Sequence, residues 1–300
     1  MLLQGPSMIT FPDISPEIFS IDVFGIEFAL RWYSMAYIAG FVIAISVMKY
    51  FTSRGDFWRN KTGPLERGEV NDLITYLILG VIIGGRLGYV VFYHLDFYLE
   101  NPSDIPKVWD GGMSFHGGFL GVVLAATIYI RRNGILLWSC ADLIAVASGP
   151  GLMLGRIANF INAELWGRPT DVAWGVVFPG ARAQDCPFVV GDCARHPTQL
   201  YEAGLEGLFL FVFLVIFARL GALRRPGVIT GMFLVIYGSG RYFVEFYRVP
   251  DPQFFSNENP FGFAFQLGNM GITMGQTLSI PMIGVGLIIV LLKSRKKQFG

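Results

Sequence analysis

Residues Ala147–Arg168 read ASGPGLMLGRIANFINAELWGR, and the fold turns on how this stretch is taken. A Gly/Pro break at Ser148-Gly149-Pro150-Gly151 leads into an apolar turn carrying Arg156, then Asn159 and Asn162, before Glu164, Trp166 and Gly167. Arg156, Asn159 and Asn162 recur at intervals of three, so a helix sets them along one face. An unpaired arginine in such apolar company costs roughly 2.5–3.5 kcal/mol in a bilayer, so it needs a partner or a function. The expected function is holding the phosphate of a lipid.

The surrounding chain has 300 residues, of which 53% are hydrophobic, 15% aromatic and 15% charged, with a mean hydropathy of +0.51. This is the composition of an integral membrane protein. The net charge is +1 and no basic tract with interleaved aromatics occurs, so nucleic acid is not an expected partner. Cys140, Cys186 and Cys193 lack metal-ligand spacing, and His94, His116 and His196 lie far apart. Neither a metal nor a cofactor is therefore expected. Pro6, Pro12 and Pro16 interrupt the first apolar residues, which argues against a cleavable signal peptide.

A bilayer crossing needs about 17–25 apolar residues. Seven such spans occur, at 30–49, 73–93, 114–130, 138–161, 199–218, 227–247 and 274–292. The prediction is an all-α integral membrane protein with seven transmembrane helices, the fourth broken at 148–151 and the seventh carrying Pro281. The segment 162–198 is long, rich in Pro and Gly, and holds Trp166, Trp174, Phe178 and Phe188. It reads as a small extracytoplasmic head between helices four and five. With no repeat and no other boundary, residues 1–300 form one membrane-embedded domain.

Basic residues prefer the cytoplasmic side. One set of loops holds Lys49, Arg54, Arg59, Lys61, Arg67, Arg131, Arg132, Arg219, Arg224, Arg225, Lys293, Arg295, Lys296 and Lys297, fourteen of the 23 Lys and Arg. The opposite loops hold Lys107, Arg168, Arg182, Arg195 and Arg248. The N-terminus is thus predicted outside and the C-terminus inside. Arg31, Arg86, Arg156 and Arg241 then fall at the outer ends of their spans, near His116, Tyr33, Glu202 and the ladder Tyr237, Arg241, Glu245. The oxidising side permits disulfides, so Cys186 and Cys193 are expected to pair and leave Cys140 free.

Each of these residues has a second reading. The arginines could snorkel to headgroups or pair with Glu164, Glu202 or Glu245. His116, with Gly117 and Gly118 beside it, could be structural or could take a proton. His196 could simply cap span five, and the tyrosines could be interface anchors. No GxSxG elbow, HExxH or P-loop occurs, so a covalent enzyme intermediate has no candidate.

The runs Trp109–Gly118 (WDGGMSFHGG), Gly155–Arg168 (GRIANFINAELWGR), Arg195–Glu202 (RHPTQLYE) and Tyr237–Arg241 (YGSGR) together resemble those of the bacterial prolipoprotein diacylglyceryl transferases, in order and spacing. The resemblance implies a multi-pass enzyme of the bacterial inner membrane. It would transfer the diacylglyceryl group of phosphatidylglycerol to the lipobox cysteine thiol of a prolipoprotein signal peptide, forming a thioether and releasing glycerol phosphate. It marks His116, Arg156, Arg241, Glu164, Tyr33 and Tyr237 as catalytic, and Asn159 and Gly167, with Arg156, as substrate-binding. The polar clustering adds Asn162, Arg86, Glu202 and Glu245 to the binding set. Ala163 departs from the pattern, which has glycine before the glutamate. In this chemistry a thiol of pKa about 8.5 must lose its proton and the departing phosphate must be stabilised. His116 suits the first task and Arg156 with Arg241 the second. Glu164 or Glu245 could orient an arginine or act as the base. The alternative is a lipid transporter or flippase with an outer-leaflet site for an anionic headgroup.

Overall fold

The structure, a computed structural model, describes residues 8–294 apart from 24–25, 187–188, 190, 251–253, 255, 257–258, 260 and 268–269. Phe188 and the basic residues Arg295, Lys296 and Lys297 lie outside the described residues, as does Pro6. All seven expected segments are helical: α1 (Trp32–Thr52), α2 (Arg67–Tyr93), α3 (Phe115–Arg132), α4 (Leu137–Ile161), α5 (Thr198–Arg219), α6 (Val228–Val244) and α7 (Met274–Ser294). Among the described residues five of them, α1, α2, α4, α5 and α7, are long and apolar enough to cross a membrane. The chain is thus a mostly helical membrane protein. Helix α6 is apolar but shorter, and α3 has 18 residues and ends in Arg131 and Arg132.

The chain divides into two compact units, residues 1–44 with 145–300, and residues 45–144. In the second, α2 and α3 meet through glycines. A Cβ on Gly88 would stand 2.6 Å from the Gly117 Cα, and one on Gly84 would stand 2.8 Å from the Gly121 Cα. Such backbone proximity is how helices pack where lipid offers no hydrophobic drive. Helix α2 starts in a capping box of Glu66 and Glu69, and α3 starts at Ser114, whose Oγ accepts from the Gly117 amide at 3.2 Å.

In the first unit, α4 runs unbroken through Ser148-Gly149-Pro150-Gly151, contrary to the break expected there. Its glycines serve packing instead. A Cβ at Gly149 would meet the Phe211 Cβ at 2.6 Å, and one at Gly40 would meet the Gly151 Cα at 3.1 Å. Proline is tolerated in a membrane helix whose neighbours hold it in register. Helix α5 contains a π-helical stretch, Ala203–Phe209. There Gly207 lies against Met153, whose Cβ would be 2.5 Å from a Cβ at Gly207. Helices α6 and α7 pack with Gly231 against the Gly286 carbonyl.

Small sheets, not foreseen from the sequence, accompany the helices. β2 (Glu17–Val23) and β3 (Ile26–Arg31) form an antiparallel pair, as do β6 (Phe265–Leu267) and β7 (Met270–Ile272). β1 (Ile9–Thr10) runs parallel to β4 (Val176–Val177), which pairs antiparallel with β5 (Ala194–Arg195). Strands β4 and β5 of this last sheet lie in the 162–198 segment, which has a core of its own. Val176, Phe178 and Ala183 are buried there, against Phe11, Phe160, Ala163 and Trp166. Arg195 is buried as well. Its guanidinium lies 4.0 Å from the Trp166 ring centre and donates to the carbonyls of Ala183 and Asp185. A Cys186–Cys193 disulfide with Cα atoms 6.3 Å apart closes the segment, and Cys140 is free and buried, as expected.

Candidate active site

The site begins where α4 ends. The Glu164 amide donates to the Asn159 carbonyl at 3.1 Å and the Ala163 amide to that of Phe160 at 2.9 Å. These two bonds are a Schellman motif, with Ala163 at the position that favours glycine. Ala163 has φ +52° and Leu165 φ +57°, so the backbone takes glycine's path although the side chain is alanine. The turn returns Glu164 to its own helix, and Asn159 Nδ2 donates to Glu164 Oε1 at 2.7 Å and to the Tyr33 hydroxyl at 3.3 Å. Asn162, half-buried, directly follows the helix, its amide donating to the Ala158 carbonyl at 2.9 Å.

One turn earlier, Arg156 Nε is 3.1 Å from Glu202 Oε2. Glu202 is fully buried and serves three arginines. Its Oε1 accepts from Arg241 Nη1 at 2.5 Å and from Arg248 Nη1 at 2.8 Å. Glu245 pairs with Arg241 Nη2 at 3.0 Å and with Arg248 Nε at 3.5 Å, and its Oε1 accepts from Thr273 Oγ1 at 3.0 Å. Tyr237, on the same helix as Arg241, lies in the field of Arg156, Arg241, Glu202 and Glu206. Buried carboxylates thus hold the guanidinium groups in place, and among the described residues part of each guanidinium has no partner. Among the described residues Arg156 meets an acceptor only through Nε, and its side chain is 25% exposed. Its two Nη groups form an open fork, the donor geometry suited to a phosphate.

Gly167 holds the Arg248 segment. Its amide donates to the His196 carbonyl at 2.9 Å, while the Arg168 amide donates to the Tyr247 carbonyl at 2.8 Å. A Cβ on Gly167 would stand 2.5 Å from that Tyr247 oxygen, so Gly167 is required by packing. His196, expected as a possible cap, makes no cap bond to α5. Its Nδ1 lies 3.1 Å from the Tyr201 hydroxyl, which accepts from Trp174 Nε1 at 2.7 Å. Burial holds the His196 pKa below the ordinary histidine value, against the opposing pull of Asp171.

Arg86 and His116 belong to the 45–144 unit. Arg86 is buried and its donors all reach backbone carbonyls. Nε donates to Ile105 and Nη2 to Asp104, each at 2.7 Å, and Nη1 to Gly111 at 2.5 Å and Gly112 at 3.3 Å. It therefore ties down the loop that precedes His116, an exposed residue in the first turn of α3. Of the expected residues, Tyr33, Arg156, Asn159, Glu164, Glu202, Tyr237, Arg241 and Glu245 share the first unit. Arg248 was missed because it counts among the loop charges, although its spacing of three from Glu245 is a helical pair.

Fold and site define a class, a helical membrane protein in which buried carboxylates hold a cluster of arginines. A family model described as prolipoprotein diacylglyceryl transferase matches residues 21–292. The chain belongs to the prolipoprotein diacylglyceryl transferase family and is a transferase. It is 58% identical over 286 residues to a protein of Ruegeria pomeroyi, covering 95% of this chain and 97% of that one. A protein of Roseobacter denitrificans is 54% identical over 283 residues, covering 94% and 96%. One of Methylocella silvestris is 46% identical over 292 residues, covering 97% and 98%. All three are named phosphatidylglycerol--prolipoprotein diacylglyceryl transferase.

Proposed function

We infer that this chain transfers the diacylglyceryl group of phosphatidylglycerol to the lipobox cysteine of prolipoproteins. The thiol sulfur attacks the glyceryl carbon bonded to the phosphate oxygen. A C–S bond forms, the C–O bond breaks, and its electron pair leaves with glycerol phosphate. The thiol proton passes to a base, for which His116 is the candidate. The observation that carries this reading is the open fork of Arg156, fixed from behind by Glu202 at 3.1 Å. Growing charge on a departing phosphate is what such a preorganised donor pair stabilises. Arg241 completes the clamp, while Tyr33, Asn159, Asn162, Glu164 and Tyr237 shape its rim. Glu202, Glu245 and Gly167 act from beneath, and Arg86 fixes the loop before His116.

The chain functions as a single bacterial inner-membrane domain with seven spans, its N-terminus outside, its C-terminus cytoplasmic and the 162–198 head extracytoplasmic. The Cys186–Cys193 disulfide supports that side for the head. The test is incubation of the purified protein with phosphatidylglycerol and a lipobox peptide. Stoichiometric release of glycerol phosphate, with a matching gain of peptide mass, is expected. Lipid movement without that release would favour a transporter.

A further inference from the structure

Glu206 has no part in the scheme above, yet it is 1% exposed. It lies in the π-helical stretch Ala203–Phe209 of α5, four residues beyond Glu202. Its Oε1 is enclosed without a hydrogen-bond partner, and no hydrogen bond to either carboxyl oxygen occurs among the described residues. The group is not remote from the cluster. It lies in the field of Glu202, Arg241, Arg156 and Arg248, and its Cγ would be 3.4 Å from a Cβ on Gly240, the neighbour of Arg241.

A buried polar atom without a partner costs about 1–3 kcal/mol, and a membrane interior makes the partner more necessary. The other carboxylates of the cluster are held by guanidinium groups or a hydroxyl. Glu206 is thus an acceptor without a donor beside donors awaiting a phosphate. π-Helical turns occur frequently at functional sites, because the wide turn re-aims side chains.

We propose that Glu206 is a specificity-determining residue: its carboxyl group accepts a hydrogen bond from a hydroxyl of the lipid's glycerol headgroup while the arginine cluster holds the phosphate. This rests on phosphatidylglycerol being the lipid substrate. The headgroup of that lipid carries two free hydroxyls and no charge, so a buried acceptor beside the phosphate site is the chemistry that separates it from other phosphodiesters. A site built to bond a hydroxyl discriminates strongly against an analogue lacking it, because the site's polar group is then left unpaired.

The experiment compares phosphatidylglycerol with phosphatidylpropanol, a phosphodiester of the same charge whose headgroup has no hydroxyl. The readout is the ratio of kcat/KM for the two lipids, measured with the full chain in detergent. The wild-type ratio is expected at roughly ten- to a hundredfold, the worth of one buried hydrogen bond to a charged group. In Glu206→Met the ratio should fall toward one, through loss on phosphatidylglycerol alone and with no loss of melting temperature. Glu206→Gln keeps the shape and one acceptor oxygen and should give an intermediate ratio, which preserves the test if the methionine variant does not fold. A wild-type ratio near one, or an unchanged ratio in both folded variants, overturns the proposal. Arg156→Lys separates the two ideas, since loss of the phosphate clamp should slow both lipids equally and leave the ratio intact.

Discussion

Arg156 Nε stands 3.1 Å from Glu202 Oε2, with the Glu202 side chain wholly buried and that of Arg156 one-quarter exposed. The pair is asymmetric, an anion that cannot reach solvent and a cation whose other face can. Replacing each partner should therefore have different results. Arg156→Lys keeps a charge against Glu202 but loses the fork, so activity per folded molecule should fall roughly ten- to a hundredfold with little change in melting temperature. Glu202→Gln leaves three guanidinium groups without their shared anion, which should cost about 3–5 kcal/mol of stability. Turnover normalised to folded protein, read beside thermal melts, distinguishes them. Full activity in the lysine variant would return Arg156 to a purely structural role.

Ala163 occupies a left-handed position at φ +52°, where an L side chain is strained by roughly 1–2 kcal/mol. Glycine there is free of that strain but gives the unfolded chain more freedom, and it removes a methyl that packs against the cluster of Val176, Phe178 and Ala183. The strain relief should prevail, so Ala163→Gly is expected to stabilise by about 1 kcal/mol and raise the melting temperature roughly 2–4 °C. The catalytic rate should stay the same, because the backbone already follows the glycine path. A lowered melting temperature would show that the methyl's packing outweighs the strain.

The seven helices are legible because a run of bilayer length admits little else, and Arg156, Glu202, Arg241 and Glu245 stand out as charges inside such runs. The same logic does not reveal where Arg86 finds its partners. A buried arginine also resolves its cost on backbone carbonyls, and the carbonyls of residues 104–112 are invisible to a scan for acidic partners. Gly149-Pro150-Gly151 reads as a break because glycine serves flexibility and close approach alike, and only the nearness of Phe211 and Gly207 separates the two. Strands β1, β4 and β5 have two residues each, too few for any periodicity. Glu206 escapes notice inside an apolar run, since the π-helical turn that frames it has no sequence signature.

His196 links acidity to stability. Its folded pKa is lowered by burial, so the unfolded chain binds a proton there at a higher pH than the folded chain does. Its contribution is fully present above the ordinary value of about 6.5 and is lost as pH falls from there through the lowered folded value. Melting temperature should therefore fall more steeply with acid in wild type than in His196→Gln. Parallel profiles for the two proteins below pH 6.5 would show that His196 does not supply this dependence.

The three cysteines provide the test of topology. Cys186 and Cys193 are joined, while Cys140 is free and fully buried within α4. In unfolded, non-reduced protein a thiol reagent should label Cys140 alone, and reduction should release the other two. The bridge is expected to form only if the head reaches an oxidising compartment, which ties it to the charge asymmetry of the loops. Single cysteines placed at Ala173, exposed in the head, and at Arg59, exposed between α1 and α2, should then respond oppositely to a membrane-impermeant maleimide in intact spheroplasts. Ala173→Cys should react at once, and Arg59→Cys only after the membrane is permeabilised. Reaction of both before permeabilisation would overturn the seven-span arrangement, and reaction of Arg59→Cys alone would invert it and leave the disulfide without an oxidising side.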